Sequence, residues 1–129
     1  MRRVVVLDSG AVTAFARRDT RAAAAYRLLL RHGPWPPLVP AAVLVECLTG
    51  DPQRDANTNR LLKTCQITTE LPTPMARRSA RLRSLAHRGS AVDAIVVAAA
   101  EPGGAVITSD IKDIGALADH AADVEVRRV

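Results

Sequence analysis

Two short runs of β-branched residues, near opposite ends of the 129-residue chain, each end at an aspartate. The first run is VVVLD, ending at Asp8, and the second is AVITSD, ending at Asp110. A segment with helical apolar spacing follows each aspartate, so the repeated unit is a strand that leads into a helix. Strands that alternate with helices form a mostly parallel sheet between helices. The pattern therefore predicts a single α/β domain over residues 1–129.

The segments between and after these two units continue the alternation. Further strands are predicted over PLVP, ITTEL and DVEVRRV. Further helices are predicted over DTRAAAAYRLLLRHG, AAVLVECLTG, PQRDANTNRLLKTC, TPMARRSARLRSLAHRG, SAVDAIVVAAA and DIKDIGALADHA. The long helix in the middle of the chain is predicted to have Thr73 as its N-cap, Pro74 at the first helical position and Gly89 at its end.

The short apolar runs of the sequence argue against a membrane-spanning protein and against a secreted one. The longest wholly apolar run, Ala94 to Ala100, is far too short to span a bilayer. The apolar run after the N-terminal arginines is too short for a secretory signal. Cys47 and Cys65 have neither metal-ligand nor redox spacing. We therefore expect a cytoplasmic protein that is not bound to a membrane and has free, reduced cysteines.

The chain is strongly basic, with a net charge of +5 and a pI near 10.2. This charge favours a polyanionic partner such as nucleic acid, although an arginine-rich and alanine-rich composition also follows from a GC-rich genome. Aromatic residues make up only 2% of the chain, so arginines would contact phosphates rather than stack on bases. Arg77, Arg81 and Arg88 fall along one stripe of the long helix and are the candidate RNA contacts; the alternative is a solvated helix face.

Five of the thirteen acidic residues occupy apolar or strand-terminal positions, and the others are interpreted as solvated surface charge. The five are Asp8, Glu46, Asp93, Asp110 and Asp113. Each has a structural explanation when it is taken singly. Ser90 and Asp93 have the spacing of a capping box, Asp8 and Asp110 can cap the helices that follow them, and Glu46 can face solvent.

Taken together, these acids indicate a metal site. In an open parallel sheet, residues that follow the strands meet at the carboxyl edge. Two carboxylates about 4 Å apart repel by roughly 4 kcal/mol at an effective dielectric of 20, so a cluster needs protonation or a cation. Oxygen-only ligands suit Mg²⁺ or Mn²⁺ better than zinc. Such an ion binds phosphate oxygens and activates water, and phosphodiester hydrolysis is the chemistry that fits.

Four segments, VVVLDSGAVTAF, PAAVLVECLTG, SAVDAIVVAAA and AVITSDIKDIGAL, together resemble the PIN-domain ribonucleases, specifically the VapC toxins of bacterial toxin–antitoxin pairs. The resemblance implies a three-layer fold with a central sheet of four to five strands. It also implies endonucleolytic RNA cleavage with Mg²⁺ or Mn²⁺, carried by an acidic quartet of Asp8, Glu46, Asp93 and Asp110. Asp113 matches a further acid that is a metal ligand or supports one, and Ser9 and Thr108 match hydroxyl positions that support the site.

The same resemblance implies two protein partners. These are a second copy of the chain, forming a homodimer, and a VapB-like antitoxin whose C-terminal segment blocks the acidic cleft. Residues 51–70 match no motif of the family, so the sequence does not indicate which RNA is cut.

Two other functions are compatible with parts of the pattern. A receiver-like phosphoacceptor domain has a similar length and sheet, but it requires an acid pair after the first strand and a suitably placed lysine. VVVLDSG supplies a single acid, and neither Lys63 nor Lys112 has the required context. A non-catalytic binding module, in which all the acids cap helices, is the other alternative.

Overall fold

The computed structural model describes residues 3–17, 20–33 and 36–129. Five strands form one sheet, and they are β1 (Val5–Leu7), β2 (Leu38–Pro40), β3 (Gln66–Thr68), β4 (Ala105–Thr108) and β5 (Glu125–Arg128). Their order across the sheet is β3-β2-β1-β4-β5. Each of the four strand pairings in the described part of the chain is parallel. The predicted parallel sheet of four to five strands is confirmed.

Helices cover both faces of this sheet. Within the described ranges they are α1 (Ser9–Arg17), α2 (Thr20–His32), α3 (Ala41–Cys47), α4 (Ala56–Leu62), α5 (Thr73–Ala86), α6 (Ala91–Ala100) and α7 (Ile111–Ala118). Helix α1 packs against α2, α3 and α4, whereas α5, α6 and α7 pack against one another. Both α1 and α6 contact β1 and β4, the two central strands, and every residue of those strands is buried. Strands covered on both faces read as continuous apolar runs, which explains VVL and AVIT.

Helix α6 is the most apolar of the described helices, and it packs against α5 and α7 as well as the central strands β1 and β4. Ala94, Val96 and Val97 are fully buried, and Ala98 and Ala100 are also in the core. A tight connection leads from α6 into β4. A Cβ atom on Gly104 would lie 2.5 Å from the backbone oxygen of Ala100, so only glycine fits there.

The ends of α5 differ from the prediction. Pro72, rather than Thr73, is the N-cap, and it makes no side-chain cap hydrogen bond because proline carries no polar side-chain atom. The helix ends at His87, which adopts the left-handed conformation with φ of 55°, so Gly89 lies beyond the helix. Arg88 is therefore not on the helical stripe predicted for it.

Two other predicted elements are shorter than expected. Strand β3 ends at Thr68 because its partner β2 ends at Pro40, the residue paired with Thr68. The helix predicted from Pro52 is restricted to Ala56–Leu62, since the preceding residues form a turn. Asp19, the first residue of another predicted helix, lies outside the described residues.

Two expectations from composition concern the cysteines and the membrane. Cys47 and Cys65 are free, as predicted, and burial raises the pKa of both thiols. Among the described residues, no helix combines the length and the apolar character needed to cross a bilayer.

Candidate metal centre

Four of the five predicted acids, Asp8, Asp93, Asp110 and Asp113, gather beyond the carboxyl ends of the two central strands. The register pairs Leu7 with Ile107, which places Asp8 beside Thr108. Helix α1 leaves β1 toward one layer and α7 leaves β4 toward the other. The two connections diverge and leave a crevice, the usual place for a binding site in an open α/β sheet.

Asp8 forms the buried floor of this crevice and is only 5% exposed. Its Oδ1 accepts a hydrogen bond from the backbone N–H of Ala11 at 2.9 Å, and its Oδ2 accepts one from the hydroxyl of Thr108. Burial raises the pKa of Asp8, and the charges of Asp93 and Asp110 raise it further, while the two hydrogen bonds lower it. A buried carboxylate near two others is stabilised by a bound cation.

Thr108 connects the two strand-end acids. Its side chain is fully buried. The hydroxyl donates to Asp8 and accepts a hydrogen bond from the backbone N–H of Asp110 at 2.8 Å. This geometry suits the supporting position that the resemblance implies for Thr108.

The carboxylates of Asp93, Asp110 and Asp113 come together at the mouth of the crevice, each with an oxygen within 4.8 Å of the others. Oxygens that bind one cation at roughly 2.1 to 2.4 Å lie about 3 to 5 Å apart, so this spacing fits a common ion. The group contains carboxylate oxygens alone, without nitrogen or sulfur ligands. The donor set therefore fits a hard divalent cation such as Mg²⁺ or Mn²⁺.

Asp93 also forms the predicted capping box of α6. The hydroxyl of Ser90 accepts a hydrogen bond from the backbone N–H of Asp93 at 3.0 Å, and Oδ2 of Asp93 accepts one from the backbone N–H of Ser90 at 3.1 Å. Asp110 caps α7 in a similar way, since its Oδ1 accepts from the backbone N–H of Asp113 at 3.1 Å. The caps hold these carboxylates in place and use one oxygen of each.

Arg88 lies in the loop between α5 and α6, and it faces the acidic group. Its Nε donates to Oδ1 of Asp113 at 2.7 Å, and its side chain is about half exposed. Arg77 and Arg81 stay on the exposed face of α5, where the sequence predicted them. The three arginines of the predicted stripe are thus divided between two surfaces.

Glu46 and Ser9 are less closely tied to the group. Helix α3 directly follows β2, as predicted, but Glu46 is exposed and lies outside the set of closely spaced carboxylates. Ser9 begins α1 and is half-buried, with no side-chain hydrogen bond in the described part of the chain.

Asp55 was interpreted as solvated surface charge, and this is wrong. Its side chain accepts hydrogen bonds from the backbone N–H and hydroxyl of Thr49, at 2.9 and 2.8 Å, and from the backbone N–H of Gly50 at 2.8 Å. These bonds, led by that from the Thr49 backbone, lower the pKa of Asp55. The bonds fix the loop that follows α3, the helix of Glu46. The turn sequence TGDP and an aspartate just before a helix were the available signals.

Glu101 is a second acid that was wrongly interpreted as solvated surface charge. It accepts two hydrogen bonds from Arg78, at 2.9 and 2.7 Å, and one from the backbone N–H of Ala122 at 2.7 Å. The bonds from Arg78 are the main cause of the lowered pKa of Glu101. This acid ties α5 to the loop before β5 and lies apart from the metal centre.

The described chain is thus a three-layer α/β domain with an acidic group at the point where the strand order reverses. No protein-family model and no curated protein matches the sequence. Several solved structures share the fold, among them the three that follow. VapBC2 from Rickettsia felis, bound to a DNA fragment from its promoter, has a TM-score of 0.71 and 11% identity over 98% of both chains. PAE2754 from Pyrobaculum aerophilum has a TM-score of 0.66 and 14% identity, covering 98% of this chain and 92% of the other.

FitAcB from Neisseria gonorrhoeae has a TM-score of 0.62 and 20% identity, covering 95% of this chain and 96% of the other. The chain therefore has the PIN-domain fold that its four segments predicted. At these identities the likeness establishes the fold alone.

Proposed function

We propose that this protein is a metal-dependent endoribonuclease that acts as a VapC-like toxin. The observation that carries the proposal is the approach of Asp93, Asp110 and Asp113 to within 4.8 Å, next to buried Asp8. The excess of positive charge on the chain favours a polyanionic substrate. The fold shared with VapBC2 and FitAcB supports the toxin class.

Each acid has a proposed part in the reaction. Asp8, Asp93 and Asp110 are the proposed ligands of Mg²⁺ or Mn²⁺, and Asp113 is the fourth once it leaves Arg88. When bound, the ion lowers the pKa of a water ligand and polarises a phosphate oxygen. Glu46 is the remaining acid of the proposed quartet, and from α3 it would orient the attacking water.

The supporting groups act by holding the ligands still. The hydroxyl of Thr108 keeps Asp8 and the backbone of Asp110 in one arrangement, and Ser90 keeps Asp93 at the start of α6. Ligands that are already in place lower the cost of ordering the site when the ion binds. Ser9 is proposed to support the site from the first residue of α1.

The proposed partners follow from the same class. RNA is the proposed substrate, with Arg77, Arg81 and Arg88 as its contacts. A VapB-like antitoxin is the proposed inhibitor, supported by the likeness to VapBC2. A homodimer and a cytoplasmic location complete the proposal, and light scattering of the purified chain measures the first of these.

Cleavage of cellular RNA with and without Mn²⁺ tests the proposal directly. We expect wild-type protein to cut only when the ion is present, and Asp93→Asn to lose most of the activity because a ligand is removed. Asp119→Asn is the matched control, since Asp119 is an exposed acid at the end of α7. Equal cutting by wild type and Asp93→Asn would show that the site is wrongly assigned. Sequencing of the RNA ends identifies the substrate.

A non-catalytic module remains a second candidate, because Asp8, Asp93 and Asp110 each accept a hydrogen bond from a backbone N–H at the start of a helix. Calorimetric titration with Mn²⁺ separates the two functions. If the folded protein binds no Mn²⁺, the acids serve only as helix caps, and the non-catalytic function is supported. The receiver-like alternative gains no support, since Ser9 rather than a second acid follows Asp8.

A further inference from the structure

A cavity of about 450 Å³ opens to solvent at the C-terminal end of α5. Its walls are formed by Ala80, Arg83, Ser84, His87, Arg88 and Gly89. Two guanidinium groups, one imidazole and one hydroxyl therefore line a single concave surface. The cavity has the volume of a small-ligand pocket, but most pockets of that kind have mainly apolar walls. A polar and cationic lining indicates an anionic occupant.

The wall of this cavity is held in place by the backbone around it. His87 and Gly89 both have positive φ angles, 55° and 91°. A Cβ atom on Gly89 would lie 2.7 Å from a methyl carbon of Leu117, so the loop packs directly on α7. The Nε of Arg83 donates to the backbone oxygen of Gly89 at 3.4 Å, a long hydrogen bond that points the side chain toward the loop. Arg77 and Arg81 lie outside this lining.

Arg88 joins the cavity to the acidic group. It lines the cavity, and its Nε is 2.7 Å from Oδ1 of Asp113, whose carboxylate lies within 4.8 Å of Asp93 and Asp110. The ion pair is partly exposed, and pairs of that kind contribute only about 0 to 1 kcal/mol. Arg88 can therefore change partners at small cost. Asp113 then becomes free to join the other acids.

We propose that this cavity binds backbone phosphates of an RNA strand on one side of the bond that is cut. Arg83 and Arg88 are the two phosphate contacts, and Arg88 exchanges Asp113 for a phosphate when RNA arrives. This inference rests on the proposed function. The occupant has to present an anion to the arginines and another to a cation at the acids, and a phosphodiester chain does both with one repeating unit. An acidic protein segment is the other occupant that the test distinguishes.

Fluorescence anisotropy of a labelled single-stranded RNA tests the contacts without cleavage, because EDTA removes the metal. Each phosphate contact to a single strand contributes about 0.7 to the slope of log K against log salt, which corresponds to about fourfold in affinity at 0.15 M salt. We expect Arg83→Gln and Arg88→Gln each to weaken binding about fourfold and to lower the slope by about 0.7. Arg21→Gln is the matched control, since Arg21 is exposed on α2 in the other helical layer.

Calorimetric titration with Mn²⁺ tests the exchange of partners separately. We expect Arg88→Gln to bind Mn²⁺ several-fold more tightly than wild type, because Asp113 no longer has a competing cation beside it. Arg83→Gln should bind Mn²⁺ as wild type does. Weaker or unchanged Mn²⁺ binding by Arg88→Gln would overturn the exchange.

The remaining outcomes separate this inference from the proposed function. If wild type cuts RNA with Mn²⁺ while both glutamine variants bind RNA as Arg21→Gln does, the cavity is not a phosphate site and the nuclease function stands. If the variants lose binding to an acidic peptide but not to RNA, the cavity is a protein-docking site and the inference is wrong. If wild type neither binds nor cuts RNA, the inference about the cavity and the proposed function are both wrong.

Discussion

Asp93 is proposed to hold a metal while it caps a helix, and two substitutions separate these roles. Asn at position 93 keeps a side-chain oxygen for the backbone N–H of Ser90 and keeps its own N–H for the serine hydroxyl, so Asp93→Asn preserves the cap. Ser90→Ala removes the hydroxyl that accepts at 3.0 Å but leaves the carboxylate of Asp93. One variant changes the ligand and the other changes the cap.

The expected changes in unfolding free energy have opposite signs in EDTA. Ser90→Ala should cost about 1 kcal/mol, as for other N-cap losses, and lower Tm by about 3 to 5 °C. Asp93→Asn removes the repulsions from Asp110 and Asp113 at up to 4.8 Å, and it also relieves the repulsion between Asp93 and Asp8. Each repulsion costs about 1 kcal/mol in a dielectric near that of water, so its removal stabilises the variant. The loss of the favourable interaction between the carboxylate and the helix dipole destabilises the variant by about 0.3 to 1 kcal/mol and offsets part of this gain. We therefore expect the metal-free Asn variant to be about 1 kcal/mol more stable than wild type.

Urea unfolding with excess Mn²⁺ completes the comparison. An ion present at a hundred times its Kd stabilises the folded protein by about 2.7 kcal/mol. Wild type and Ser90→Ala should both gain this amount, and Asp93→Asn should gain little of it. An equal gain in Asp93→Asn would refute the metal role of Asp93. A gain lost in Ser90→Ala would refute the separation of ligand from cap.

Three further predictions concern the fold. Leu82→Ala should lower the unfolding free energy by about 3 kcal/mol, because Leu82 lies on the buried face of α5 and is fully buried in the core; urea unfolding measures this. Gly104→Ala should lower the unfolding free energy by about 1 to 3 kcal/mol, because the added Cβ clashes with backbone. Gly115→Ala should raise the unfolding free energy by about 0.5 to 1 kcal/mol, because the space around the added Cβ is open. Similar effects of the two substitutions would contradict the packing. Glu101→Gln should lower the unfolding free energy by about 1 kcal/mol at pH 7. Arg78 lowers the pKa of Glu101, so the ion pair stabilises the folded protein above pH 4.5. That cost should disappear as the pH falls through the lowered folded-state pKa, because the acid is then protonated, and a pH-independent cost would contradict the assignment.

The features that the sequence predicted correctly depend on local patterns. A strand that ends at an aspartate, the S-x-x-D spacing of Ser90 and Asp93, and a continuous apolar run each specify their structure within a few residues. The parallel order of the strands follows from those units and from the handedness of their connections. The sequence alone therefore places Asp8 and Asp110 at one edge of the sheet.

The features that sequence reasoning missed depend on contacts between distant segments. Arg88 was assigned to a helical stripe because Gly89 was the predicted end of α5, whereas the helix ends at His87. Gly89 packs closely on Leu117, which lies on another helix, and a local residue pattern does not specify that contact. Asp55 was assigned to solvent because its partners donate from a loop whose turn geometry a residue pattern does not specify.

The hydrogen bond between Asp8 and Thr108 joins residues that are 100 positions apart. During translation, β1 leaves the ribosome long before β4 has been made, and β1 has to wait for β4 before the crevice exists. A nascent or prematurely terminated chain therefore has no assembled acidic group, whatever its length up to that point. Under the proposed function, the chain therefore has no nuclease site until β4 has been made, and this delay protects the ribosome and message that produce it during that time.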